Sequence, residues 1–112
     1  MTKIRLFFNG NDIIGFSAEG HTGFADRGED IVCAAISVLT QTAVIGLQQE
    51  LGLKVDVEIK DGLLQCRLPV QVDDRLWQQS QVILRVMYAG LRAILQEYGK
   101  QYLDIEEVEQ CG

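Results

Sequence analysis

Some residue types are scarce in this sequence, and each scarcity excludes a class of protein. The 112 residues include three cysteines, one histidine and one proline. Cys33, Cys66 and Cys111 are odd in number and widely separated, with no Cys-x-x-Cys pair and no second histidine to complete a zinc site. We therefore expect neither a disulfide framework nor a metal site, and we predict no cofactor.

Positive charge and long apolar runs are scarce as well. Lysine and arginine total 10 against 16 aspartate and glutamate residues, which gives a net charge of −6. Direct binding of nucleic acid needs a clustered basic surface, so this balance argues against it. The N-terminal apolar run is too short for a signal peptide, and no segment approaches the roughly 20 apolar residues of a membrane span. We expect a cytoplasmic protein that does not bind membranes.

The apolar residues that are present follow regular patterns. Apolar and polar residues alternate along residues 2–9 and 13–18, on either side of a Gly-Asn-Asp turn. They alternate again along residues 55–60 and 63–68, around the turn Asp61-Gly62. Both patterns predict β-hairpins, because alternation is the signature of a half-buried strand.

Two longer segments have the apolar content of helices. Residues 30–51 are apolar on most sides and end at Gly52, while residues 74–98 follow an aspartate cap and end at Gly99. The predicted order is β-β-α-β-β-α, and the acidic tail can add a short strand. This order predicts one domain over residues 1–112 with an α+β fold, a two-layer sandwich whose two helices pack on one face of a mainly antiparallel sheet.

The second predicted helix carries two lines of apolar residues. One line is Leu76, Ile83, Met87 and Ile94, and the other is Trp77, Leu84, Tyr88, Leu91 and Leu95. A single domain face does not easily bury both lines, so we expect a second copy of the chain to cover one of them in a homodimer. The alternative is that both lines pack within one chain.

A nucleophile and a base lie close together near the first helix. His21 is in a loop that contains Gly20, Gly23 and Gly28, and Cys33 follows twelve residues later, in what we expect to be the first helical turn. There the helix dipole and free amides would favour the thiolate. The three glycines can act as hinges that bring the imidazole back over the helix.

This pairing is what a cysteine hydrolase requires. The imidazole takes the thiol proton and later gives it to the leaving amine. Asp30 can cap the helix or orient the imidazole, and Ser37 lies one turn after Cys33 on the same helix face. The alternative interpretation is structural: Cys33 would be a small buried apolar residue and His21 a surface side chain.

The segments GHTG (residues 20–23) and GEDIVCAAIS (residues 28–37) closely resemble the signature of the ribosomal-processing cysteine protease family, Prp. One departure is Thr22, where family members commonly have alanine. The resemblance implies that His21 and Cys33 form the catalytic dyad and that Asp30 and Ser37 have supporting roles. It also implies a dimer.

The same resemblance implies a substrate. The enzyme would be a cysteine endopeptidase that removes the N-terminal extension of the twenty-seventh large-subunit ribosomal protein, after a pair of bulky or aromatic residues, during ribosome assembly. Two alternatives stay open. One is a non-catalytic dimeric module that binds a ribosomal protein, and the other is a redox-sensing thiol at Cys33, for which the sequence offers no nearby resolving cysteine.

Overall fold

The computed structural model describes residues 1–20 and 27–110 of the chain. Within these ranges the chain forms five strands and two long helices. The elements in chain order are β1 (Thr2–Asn9), β2 (Asp12–Gly20), α1 (Arg27–Ile45) continued by a π-helical turn (Gly46–Glu50), β3 (Asp56–Lys60), β4 (Leu63–Arg67), α2 (Asp74–Tyr98) and β5 (Leu103–Glu109).

The five strands form one mixed sheet in the order β3-β4-β2-β1-β5. Both predicted hairpins pair antiparallel, and β2 also pairs antiparallel with β4. The fifth strand pairs parallel with β1 over its whole length, from Thr2 opposite Leu103 to Phe8 opposite Glu109. The predicted two-layer α+β fold is confirmed, and the tail completes it with a longer strand than the sequence indicated.

Both helices cover the same face of the sheet. Along β1, Ile4 and Leu6 are fully buried, while the intervening Lys3 and Arg5 are half-exposed on the open face. Those two cations are paired with Asp104, Glu106 and Glu19 on the neighbouring strands. The sheet therefore has one apolar face, which must be covered, and one charged face, which can meet water.

Both apolar lines of the second helix pack within the chain at least in part, with Leu84, Met87 and Leu91 buried and the other members half-buried. Leu84 and Leu91 are buried against the sheet, whereas Ile83 packs beside Gly46 of the turn that continues α1. Further along α2, Gly90 allows the side chain of Leu39 to approach closely. The helix thus has two apolar neighbours in its own chain, the sheet and α1, and the expected homodimer stays a prediction.

The helix ends are set by local signals, with one exception. The Asp73 side chain accepts a hydrogen bond of 2.9 Å from the Leu76 amide, and Gly99 ends α2, as predicted. The first helix, however, begins at Arg27 rather than near Asp30. The prediction that Asp30 caps the helix was wrong, because acidic residues are also favoured inside the first helical turn.

One apolar segment is longer than the sequence analysis allowed. By length and composition, the described residues contain one helical segment, Asp30–Glu50 with mean hydropathy 1.8, that is long and apolar enough to cross a membrane. The core helix of a soluble protein meets the same criteria. Here Val32, Ile36 and Leu47 from this segment are buried in the hydrophobic core beneath the sheet's apolar face.

Candidate active site

Cys33 lies on the face of α1 that meets the N-terminal end of β1. It is the seventh residue of the helix, so it lies in the second turn and not in the first turn as predicted. The dipole effect falls off within the first turn, so the argument from free helix-start amides is weakened. Its thiol is half-buried, which leaves it accessible from one side.

A polar neighbour of the Cys33 sulfur comes from the first strand, outside the two motif segments. The Sγ atom lies 3.4 Å from Oγ1 of Thr2, the first residue of β1. Thr2 is only 4% exposed, and its amide donates a hydrogen bond of 2.9 Å to the Tyr102 carbonyl. The sheet therefore holds a hydroxyl group against the cysteine.

These two residues belong to the wall of a cleft of about 320 Å³. The volume is near the lower end of the roughly 300–1,000 Å³ typical of ligand pockets. Most of its lining comes from the end of β2, the middle of α1 and the β3–β4 hairpin. Its apolar wall is formed by Ala18, Ile36, Ile59, Leu63 and Leu64, and its polar positions include Ser37, Thr40, Gln41 and Lys60.

The polar groups of the cleft are largely satisfied by the protein itself. The buried Thr40 hydroxyl donates to the Ile36 carbonyl at 2.9 Å, inside α1. At the rim, the Lys60 ammonium lies 2.8 Å from Glu58, and this hydrogen bond raises the pKa of Lys60. Among the described residues, no three histidine, cysteine, aspartate or glutamate side chains come together in a way that could hold a metal ion.

The β3–β4 hairpin closes one side of the cleft by docking on the last residue of β2. The Gly20 amide donates a hydrogen bond of 2.9 Å to the Gly62 carbonyl. Gly62 has φ +72°, and a Cβ atom there would lie 2.6 Å from the Gly20 carbonyl oxygen. Only glycine fits this position without strain, so this contact fixes the point from which the chain continues to His21.

The predicted site residues are partly brought together. Ser37 lines the same cleft as Cys33, whereas Asp30 is an exposed residue in the fourth position of α1, where it cannot cap the helix. Gly28 was predicted as a loop hinge but is the second residue of α1, because the helix begins earlier than expected.

Two other predicted site residues lie outside the described part of the chain. They are His21, the predicted base, and Gly23, a predicted hinge.

The other thiol that the structure describes has a different environment. Cys66 is 1% exposed on the apolar face of β4, and burial together with the nearby Asp56 carboxylate raises its pKa to about 12. A thiol of this kind stays protonated at neutral pH and does not act as a nucleophile. Of the described cysteines, only Cys33 combines partial exposure with a place in a cleft.

The comparison with known protein families identifies the family of the chain. The sequence model of the family described as cysteine protease Prp matches residues 1–103. The chain belongs to the cysteine protease Prp family. It is therefore a hydrolase of the cysteine endopeptidase type, and the resemblance found in the sequence is confirmed.

Individual Prp proteins are similar along most of the chain. The ribosomal processing cysteine protease Prp of Bacillus subtilis is 27% identical over 88 residues, which cover 77% of this chain and 79% of that protein. Crystal structures of the Prp protease of S. aureus share its fold. The complex with a substrate peptide has a TM-score of 0.82 at 22% identity, and the complex with a covalently linked product peptide has 0.79 at 23%. Both alignments cover 96% of this chain and 99% of the other.

The cleft also contains residues that the sequence analysis missed. Thr2, Gly62 and Leu64 carry no motif and are far from Cys33 along the chain. The pairing of β4 with β2, which brings the second hairpin to the cleft, has no local signal in the sequence.

Proposed function

We propose that Cys33 is the nucleophile of this protease and His21 its base. Cys33 gives its thiol proton to His21, and Sγ forms a bond to the scissile carbonyl carbon. The carbon–nitrogen bond then breaks, the same proton passes to the leaving amine, and water hydrolyses the thioester. The observation that supports this assignment best is the half-buried Cys33 thiol in the wall of a cleft bounded by the strand end that leads to His21.

We assign the supporting roles according to position. Ser37 lines the cleft one helical turn after Cys33, so it is placed to bind the substrate or orient the dyad. Asp30 is exposed on the preceding turn, so its role is limited to contacts with the His21 segment. Ser37→Ala should therefore reduce cleavage more than Asp30→Asn.

The proposed substrate is the N-terminal extension of a bacterial large-subunit ribosomal protein, the twenty-seventh. The Bacillus subtilis relative is a ribosomal processing protease, and the S. aureus protease was crystallised with a substrate peptide. Aliphatic side chains from four elements line the cleft, which suits a bulky or aromatic residue beside the cleaved bond. The net charge of −6 favours encounter with a basic ribosomal protein.

A peptide cleavage assay tests this substrate. The wild type and the Cys33→Ala and His21→Ala variants are incubated with a peptide that copies the extension and the first mature residues, and products are identified by mass spectrometry. We expect the wild type alone to cleave the peptide, and at one bond. Cleavage should stop when the aromatic pair in the peptide is replaced by alanine. Cleavage by Cys33→Ala would refute the dyad. An intact peptide that still binds tightly would favour the non-catalytic binding module.

We also propose that the enzyme is a cytoplasmic homodimer. Each helix exposes a stripe of apolar residues away from the sheet: Ile31, Val38 and Ile45 on α1 are 51%, 65% and 47% exposed, and Val82 and Val86 on α2 are 62% and 66% exposed. Apolar stripes of this kind favour association. Light scattering should give a dimer mass for the wild type and a monomer mass for the Val38→Asp, Val86→Asp double variant. A monomeric wild type would contradict the proposal.

A further inference from the structure

The Oγ1 atom of Thr2 lies 3.4 Å from the Sγ atom of Cys33. We infer that Thr2 is a positioning residue: its hydroxyl donates a hydrogen bond to the Cys33 thiolate and holds Sγ toward the cleft. This inference rests on the proposed role of Cys33 as the nucleophile. It goes further because it assigns a role to a residue of β1, outside the motif that carries the proposed dyad.

The sheet fixes the Thr2 hydroxyl in place. Thr2 pairs with Gly20 on β2 and with Leu103 on β5, and its amide donates to the Tyr102 carbonyl at 2.9 Å. Its side chain is almost fully buried, at 4% exposure. A hydroxyl held between two neighbouring strands has little freedom to leave the sulfur, so little side-chain entropy remains to be lost when the hydrogen bond forms.

The residue opposite Thr2 leaves room for this contact. Gly20 is its direct partner in the antiparallel register, and a Cβ atom at Gly20 would lie 3.2 Å from Thr2 Oγ1. A side chain at that position would therefore push the hydroxyl aside. The absence of a side chain at Gly20 therefore serves the placement of the Thr2 hydroxyl.

The chemistry of sulfur decides the direction of the hydrogen bond. In the thiol state either atom can donate, but a thiolate has no hydrogen, so the threonine hydroxyl must donate to it. Hydrogen bonds to a charged acceptor are stronger than neutral ones. The Thr2 hydroxyl therefore supplies a donor to the Cys33 sulfur once its proton has left, and the contact restricts the rotation of the side chain.

Alkylation of Cys33 as a function of pH tests this role directly. Iodoacetamide labelling of the full chain is followed by peptide mapping, so that the rate at Cys33 is separated from the rates at other cysteines. Thr2→Val removes the hydroxyl and keeps the volume, Thr2→Ser restores the hydroxyl, and Thr42→Val makes the same replacement at an exposed position of α1. If Thr2→Val does not fold, Thr2→Ser and Thr2→Ala, which differ by one oxygen, provide the comparison.

We expect Thr2→Val to label Cys33 about tenfold more slowly at pH 7, because the hydroxyl that donates to the reacting sulfur and holds it toward the cleft is lost. Thr2→Ser and Thr42→Val should follow the wild type. Labelling of Thr2→Val at the wild-type rate across the pH range, or an equal loss of rate in Thr2→Ser, would overturn the inference. Cleavage that survives in Cys33→Ala would instead refute the proposed function, and the labelling result would still decide whether Thr2 acts on this thiol.

Discussion

Replacement of Gly62 by alanine should damage the protein in a way that matched glycine replacements do not. Gly62 has φ +72°, and Gly10, in the turn of the other hairpin, has φ +62°. A non-glycine residue in the left-handed region costs about 1–2 kcal/mol, so both alanine variants should lose at least that amount of stability. A Cβ atom at Gly10 meets nothing within 4 Å, which makes Gly10→Ala the control for the backbone cost alone.

Gly62→Ala has a second cost that follows from its contact with Gly20. The new Cβ atom would lie 2.6 Å from the Gly20 carbonyl oxygen, so the β3–β4 hairpin must move away from β2. The hydrogen bond of 2.9 Å between the Gly20 amide and the Gly62 carbonyl would be lost or weakened, which costs about 1 kcal/mol. We therefore expect Gly62→Ala to be less stable than Gly10→Ala by at least about 1 kcal/mol.

Urea denaturation, followed by the fluorescence of the single tryptophan, measures both variants. Peptide cleavage then tests the link to function. Gly62→Ala should cleave slowly under conditions where it is fully folded, because the cleft wall has moved, whereas Gly10→Ala should cleave as the wild type does. Equal losses of stability in the two variants, or full activity in folded Gly62→Ala, would refute the account of how the hairpin builds the cleft.

Three further predictions concern other parts of the fold. The buried side-chain amide of Gln81 accepts a hydrogen bond from the Ile13 amide at 2.7 Å and donates one to the Ile13 carbonyl at 2.9 Å. Gln81→Met should therefore lower the free energy of unfolding by about 2–4 kcal/mol in urea titrations. Gln79→Met, at an exposed position of the same helix, should change it little. Burial raises the pKa of Cys66 from 9.0 to about 12, so above pH 9 the unfolded chain loses this proton while the folded protein keeps it. The contribution of Cys66 to the free energy of unfolding should therefore fall by about 1.4 kcal/mol per pH unit above pH 9. The stability advantage of the wild type over Cys66→Ala should shrink by the same amount, and a constant difference would refute this. Peptide mapping after iodoacetamide treatment at pH 8 should find Cys33 labelled and Cys66 unlabelled in the folded protein, and labelling of both at equal rates would contradict the burial of Cys66.

The parts of the fold that the sequence predicted are those set by neighbouring residues. The Asp61-Gly62 turn, the Asp73 cap and the Gly99 stop each depend on a few adjacent side chains, and all three were confirmed. The alternation of β1 likewise follows from one strand having one apolar and one charged face. Local signals of this kind need no knowledge of the partner element.

The parts that the sequence did not predict depend on distant partners. Pairing of β5 with β1 joins segments about a hundred residues apart, and Thr2 meets Cys33 only because that pairing and the β1–β2 hairpin fix the start of β1. The start of α1 was misplaced because aspartate suits both a cap and the first helical turn. The candidate site was thus predicted at Cys33 and Ser37, while the surrounding wall was not.

The most direct test of the central claim is to locate the residue that reacts with a substrate-like electrophile. A chloromethyl ketone carrying the residues that precede the proposed cleavage site is incubated with the protein, which is then digested and mapped by mass spectrometry. The account predicts one adduct, on Cys33, and a loss of peptide cleavage in proportion to its formation. An adduct on a different residue, or cleavage that persists when Cys33 is fully modified, would contradict it.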